Sequence, residues 1–255
     1  MNFSLYQEFY KFNHKKVTWL MPFLLLFLML FMGFTYPSQY GNLMAMTSYN
    51  ASDWILMILV IVGSTLFSME FQNNTILTLL YKSPNKFYVY FSKFVVIMTY
   101  DVILHIIAII FTAILILTPI DKPVSWLAIY KYQQPLVVNM FATTGIDLIE
   151  SVLIISLVFL MSCLINSNSL VIAVNIGIII FGPYATTPLI RNHSILGGLV
   201  KWNPLNMTNL TTQYYNYGSY HPVTLLNNMQ LAFGTITYII IFFSLGYLIF
   251  RKKRF

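Results

Sequence analysis

The sequence predicts an all-α membrane protein with six transmembrane helices, and three observations carry that prediction. Of 255 residues, 58% are hydrophobic and only 8% are charged, against about a quarter charged in soluble domains. Apolar runs long enough to cross a hydrocarbon core, about 20 residues, recur along the chain. Basic residues gather outside those runs: Lys15 and Lys16 before the first, and Arg251, Lys252, Lys253 and Arg254 after the last. With 21 Phe and 18 Tyr beside 7 acidic residues, too little polar surface remains to clothe a water-soluble fold. The net charge of +7 sits at span ends as a topology signal, so no nucleic-acid partner is expected. The single cysteine, Cys163, can form neither an internal disulfide nor a cysteine-based metal site.

The elements follow in order within one domain, 1–255. Residues 1–17 read as an amphipathic elbow helix lying on the membrane. On a helix Ser4, Gln7, Glu8, Lys11, His14 and Lys15 share a polar face, with Leu5, Tyr6, Phe9, Tyr10 and Phe12 opposite. Six apolar spans follow, near 18–35, 53–69, 87–117, 137–164, 169–183 and 229–250. The fifth is short and ends at Gly182-Pro183. Six crossings return both termini to one side. Ten of the 14 basic residues then share that side, and four, Lys122, Lys131, Arg191 and Lys201, fall on the other. This bias places both termini in the cytoplasm, with the chain in the plasma membrane. Before the last span, region 184–228 is semi-apolar and broken by Pro188, Gly197, Gly198 and Pro204. It reads as one or two short re-entrant or interfacial helices in the outer leaflet, because backbone at membrane depth must be helical or covered by protein.

The stretch 69–93, MEFQNNTILTLLYKSPNKFYVYFSK, is polar and turn-broken between two greasy spans. Its spacing predicts a helix from Glu70 to Tyr81, ended by Ser83-Pro84-Asn85, since proline cannot continue a helix and biases the residue before it away from helical backbone. A new helix then carries Lys86 and Lys93 into the third span. Such a knob, 70–84, suits docking of a soluble partner. The pattern E-x4-T-x3-L-x4-P-x-K-x6-K, here Glu70, Thr75, Leu79, Pro84, Lys86 and Lys93, resembles the coupling segment of type-two ABC exporter membrane subunits. One basic residue of that family's usual arginine-rich neighbourhood is missing. The layout along nearly the whole chain is similar, and KWNPLN at 201–206 is similar to the family's proline-bearing segment before its last span. The size and the aromatic, Asn-rich character resemble Gram-positive peptide exporters such as the phenol-soluble modulin exporter, with lantibiotic-immunity exporters close by.

The resemblance implies a translocation path formed with a second copy of the chain or a related membrane subunit. It implies a separate ATPase subunit that binds ATP and Mg, and an amphipathic peptide as substrate. It also implies that Glu70 seats the coupling helix in the ATPase, with Thr75 and Leu79 as packing residues and Pro84 as the turn. The residues themselves agree on one point. The sequence has no G-x-x-x-x-G-K-[ST] and no Gly-Lys pair, so no P-loop enzyme and no cofactor are expected in this chain.

Four ionisable residues fall inside spans: Asp101 and His105 at i, i+4 in the third, and Asp147 and Glu150 at i, i+3 in the fourth. Charges within a membrane are costly and mark function by default. The readings are a hydrogen-bonded pair at a subunit seam, a substrate path, a proton relay or a metal site. Counted at about 1.5 Å per residue, Asp101 lies roughly 12 Å above Lys93 and Asp147 nearly 30 Å above Asn166, so the two pairs are not expected to form one site, and no metal is expected. The sequence reading is thus the membrane subunit of an ATP-driven exporter. The alternatives are a secondary transporter or membrane enzyme using Asp101 and His105, or a peptide-binding immunity protein.

Overall fold

A computed structural model of the protein describes residues 2–72, 76, 85–118, 124–191 and 197–253. Helix α1 (Asn2–Asn13) is separated from α2 (Lys16–Thr35) by Lys15, whose extended backbone (φ −79°, ψ 125°) breaks the helical path. A short 3-10 turn, Ser38–Tyr40, leads into α3 (Gly41–Met46) and then α4 (Ala51–Gln72). Helix α5 (Lys86–Ile116) starts at an N-cap, where the Asn85 side chain accepts from the Phe87 N–H. Helices α6 (Leu136–Leu164) and α7 (Asn168–Arg191) follow. Four short helices come next: α8 (Gly197–Val200), α9 (Pro204–Met207), α10 (Leu210–Tyr215) and α11 (Tyr217–Thr224). The last, α12 (Asn228–Lys252), opens with a capping box between Asn227 and Gln230.

Five helical stretches are long and apolar enough to cross a membrane: Lys16–Thr35, Gly41–Gln72, Lys86–Ile116, Leu136–Leu164 and Asn228–Lys252. Five of the expected spans thus coincide with α2, α4, α5, α6 and α12 to within three residues. The fifth expected span differs. Its apolar part, Asn168–Gly182, is short, but the helix runs on through Gly182-Pro183 to Arg191. Proline removes one backbone hydrogen bond while its fixed φ remains helical, and here it does not end the helix. Region 184–228 holds more short helices than the one or two expected.

The elbow helix is divided differently from the sequence reading. Glu8 is 1% exposed and Phe12 is buried, whereas Tyr6 and Tyr10 face outward at 70% and 57% exposure. The face with Glu8 turns inward because its carboxylate has a buried ammonium to meet, described below. On α2 the exposed residues Trp19, Phe23, Phe27 and Phe31 repeat every four positions and form one outward aromatic stripe.

Helix α6 is central: 72% of its most apolar stretch is buried, against 22% for α2 and α12. At one end of the bundle, rings from four helices close into a buried cluster. Phe67 lies 5.0 Å from Phe159, 5.5 Å from Phe250 and 5.6 Å from Tyr90, centroid to centroid. Tilted and edge-on contacts at this spacing match the ring quadrupoles. The same end holds both chain ends: Lys86 Nζ donates to the carbonyls of Arg251 and Lys253, each at 3.1 Å. At the opposite end Tyr132 stacks on Tyr214 at 4.9 Å and donates to its carbonyl. Between α3 and α4, Ser48, Tyr49 and Asn50 all have left-handed backbone, φ 50°, 54° and 61°.

Helix α12 approaches α6 closely at Gly246, where an added Cβ would stand 3.4 Å from the Leu160 backbone and would collide with the Tyr90 hydroxyl. Gly145, on α6, has open space around it. Gly246→Val is expected to lower stability by about 1–3 kcal/mol through overpacking. Gly145→Ala is expected to hold or raise it by up to about 1 kcal/mol through helix propensity. Thermal unfolding of the purified protein in detergent checks both.

Candidate functional site

Two polar constructions lie inside the apolar bundle. The first joins α1, α4 and α5. Lys93 of α5, 0% exposed, meets two carboxylates, Glu8 of α1 at 2.7 Å and Glu70 of α4 at 2.6 Å. Lys11 closes the ring, 3.1 Å from Glu70 and 3.3 Å from Glu8. Two cations and two anions leave the cluster neutral. That balance lets an ammonium sit where none could sit alone. The Phe67 ring lies 5.9 Å from Lys93 Nζ and adds a cation–π contact. Nearby, Lys15 donates to the Thr65 carbonyl at 3.1 Å. Burial lowers its ammonium below the ordinary lysine range, and the neighbouring Lys93 charge adds to the same shift.

The second construction joins α5, α6 and α10. His105 Nδ1 stands 3.0 Å from Asp101 Oδ1 and 2.9 Å from the Asp101 carbonyl, and its Nε2 stands 2.8 Å from Asp147 Oδ2. Acceptors face both ring nitrogens, an arrangement that the doubly protonated ring satisfies in full. The Ser151 hydroxyl donates to Asp101 at 2.5 Å. Thr211 bridges to the short helices, its N–H 2.8 Å from Glu150 Oε2 and its hydroxyl 3.4 Å from Asp147 Oδ1. A cavity of about 10 Å³ beside His105 and Asp147, also lined by Ser48 and Thr143, has room for about one water.

Asp101, His105 and Asp147 therefore share one site, which corrects the separation expected from sequence. That expectation took Lys93 as the membrane boundary. Helix α5 begins at Lys86, and Lys93 is already buried in the fold. Counted from Lys86, Asp101 is about 22 Å along α5; counted from Leu164, Asp147 is about 26 Å along α6. The two depths agree to within one helical turn.

Among the coupling residues expected, Glu70 is the one the structure shows in contact with Lys93, near the end of α4. Lys86 instead holds the carbonyls that end α12. Thr75, Leu79 and Pro84 lie outside the described residues. Sequence reasoning passed over Glu8, Ser151 and Thr211. A usable signal existed for Glu8: with 7 acidic residues in the chain, each one beside a span is a candidate partner for a buried cation. Thr211 carried no such signal, because it is one of several Thr and Asn residues in a loop-like stretch. Among the described residues no group of three or more His, Cys, Asp and Glu side chains has metal-site geometry.

Long apolar helices around a neutralised polar interior define a multi-pass helical membrane protein. A family model described as ABC-2 family transporter protein matches residues 4–183. That is well over half of the chain, and the protein belongs to this family, whose members are membrane subunits of ABC transporters. No curated protein matches it.

Removing the buried cation of the first cluster leaves Glu8, 1% exposed, and Glu70 with only the half-exposed Lys11 to face them. Lys93→Met is expected to destabilise by about 3–5 kcal/mol. Adding Glu8→Gln to Lys93→Met is expected to recover part of that loss. Lys11→Ala, whose side chain is 39% exposed, is expected to cost no more than about 1 kcal/mol. Thermal unfolding in nanodiscs orders the three variants.

Proposed function

We propose that this chain is the membrane half of an exporter that works as a homodimer, or with a related subunit, on two separate ATPase chains. The observation that carries the reading is the placement of the Glu8–Lys11–Glu70–Lys93 cluster. It contains Glu70, the first residue of the segment 70–84 that resembles the family's coupling helix. Closure of the ATPases on 70–84 would push the end of α4. Because Glu70 is ion-paired to α1 through Lys11 and to α5 through Lys93, that push would reach three helices together. Buried charge pairs resist separation, so the cluster works as a rigid joint.

The remaining features of the reading have their own support. Both chain ends lie near the start of α5, which fits an even number of crossings with α7 as the fifth of six spans. The basic bias then puts both termini and the coupling segment in the cytoplasm. The short helices α8 to α11 would sit in the outer leaflet. ATP and Mg would belong to the partner. The resemblance to Gram-positive peptide exporters gives an amphipathic peptide as the substrate class. A second reading, a secondary transporter, draws on the Asp101–His105–Asp147 network. Transport that persists without any ATPase and collapses in Asp101→Asn would establish it.

Co-expression with candidate P-loop ATPases from the same genome tests the first reading, and one of them is the expected partner. This chain and that partner are expected to copurify. Leu79→Asp, within the proposed helix and nine residues past Glu70 in the sequence, is expected to lower substrate-stimulated ATP hydrolysis about tenfold, the cost of losing one interface hot spot. Substrate accumulation in inverted vesicles is expected to require ATP. Full hydrolysis and copurification in Leu79→Asp would remove the coupling role from this segment.

A further inference from the structure

Of the 7 acidic residues, four have a basic partner in the fold. Glu8 and Glu70 share Lys93 and Lys11. Asp101 and Asp147 share His105. Asp121 lies outside the described residues. The other two, Asp53 and Glu150, have no basic partner among the described residues, and both line the same cavity of about 660 Å³. Its walls come from α4, α6, α7, α10 and α11. Among the described residues no lysine, arginine or histidine lines it, although the chain carries a net charge of +7.

The two carboxylates are placed differently. Asp53 stands exposed at the mouth, with Oδ2 accepting from Asn50 Nδ2 at 2.7 Å. Glu150 is 3% exposed at the floor. Its Oε2 accepts the Thr211 N–H at 2.8 Å, and the Thr211 side chain lies beside the same carboxylate. Trp54 lines the wall, and among the described residues no acceptor faces its buried Nε1. Leu56, Met57, Ile154 and Ile179 give the wall an apolar side, and Thr208, Asn209, Thr212 and Ser219 give it neutral polar groups. A buried carboxylate without a counter-charge is unfavourable by several kcal/mol, and a cavity of this size suits a small molecule.

We propose that this cavity binds a small apolar molecule carrying a primary ammonium or guanidinium group, with the cation held between Asp53 and Glu150 and the apolar body against Trp54, Ile154 and Ile179. The site is separate from the coupling segment and needs no nucleotide, so its occupancy does not rest on ATP-driven transport. The head group donates to the Glu150 carboxylate at the floor. An amine of this kind comes either from an aminophospholipid or from a ligand outside the bilayer.

Decylammonium serves as the probe, with decanol and decanoate as controls. The protein in phosphatidylcholine nanodiscs is incubated with each radiolabelled compound, and empty discs supply the blank. Saturable binding above the blank is expected for decylammonium alone. Glu150→Gln and Asp53→Asn are each expected to weaken it about tenfold, the loss of one charge-assisted contact. Asp53 is exposed, so its variant tests the site without disturbing the packed interior. Absence of saturable decylammonium binding, equal binding of decanol, or unchanged affinity in both variants overturns the proposal. In discs containing phosphatidylethanolamine, suppressed binding supports the site and identifies the lipid amine as its natural occupant. Undiminished binding supports the site and assigns it to a ligand from outside the lipid.

Discussion

A single buried ammonium organises one end of this molecule. Lys93 has no exposed surface, and an isolated ammonium in that setting would lose several kcal/mol of hydration. Two carboxylates answer it from different helices, Glu8 of α1 and Glu70 of α4. Neither acid is adjacent to Lys93 in sequence, so the ion pairs are possible only when three helices meet in one register. Apolar packing alone is less exacting, since lipid tails compete equally well for a leucine face. The polar ring therefore fixes where α1 docks, and the aromatic cluster of Phe67, Tyr90, Phe159 and Phe250 fills the space beside it.

The second polar construction uses the same logic with weaker charges and more hydrogen bonds. Asp101, His105 and Asp147 join α5 to α6, and Thr211 extends the network to the short helices. These links tie the irregular stretch after α7 to the spanning helices. Its backbone polar groups are satisfied partly by its own side chains. Asn206 donates to the carbonyls of Lys201 and Thr224, and Gln213 donates to that of Leu226. Non-helical backbone near a membrane is tolerated only when covered or paired in this way.

Much of this architecture was legible in the sequence. Long apolar runs bounded by Lys16, Asp53, Lys86, Asn228 and Arg251 gave the span limits, because hydrophobic length is a direct readout of what crosses a bilayer. Pro183 misled, since a proline in a helix weakens it without always ending it. The partners of the buried charges were not legible. Helical spacing finds neighbours on one helix, as it did for Asp101 and His105, but the distance from Glu8 to Lys93 depends on how α1 folds back. Depth counting failed for a related reason: it needs to know where the bundle begins, and Lys93 looked like a boundary residue while lying inside. Asp53 was read only as part of a span, and its cavity exists only once α7, α10 and α11 are in place.

The left-handed stretch Ser48-Tyr49-Asn50 keeps α3 and α4 as two pieces. Each such residue costs roughly 1–2 kcal/mol relative to right-handed backbone, and none of the three is glycine. The burial of Tyr49, 1% exposed, and the bond from its N–H to the Met44 carbonyl, 2.7 Å, offset that strain. If the tyrosine left its seat, the favoured relaxation would be to right-handed helix, fusing 41–72 into one rod about 48 Å long. The molecule thus holds a spring-loaded break in its second crossing, latched by one aromatic ring.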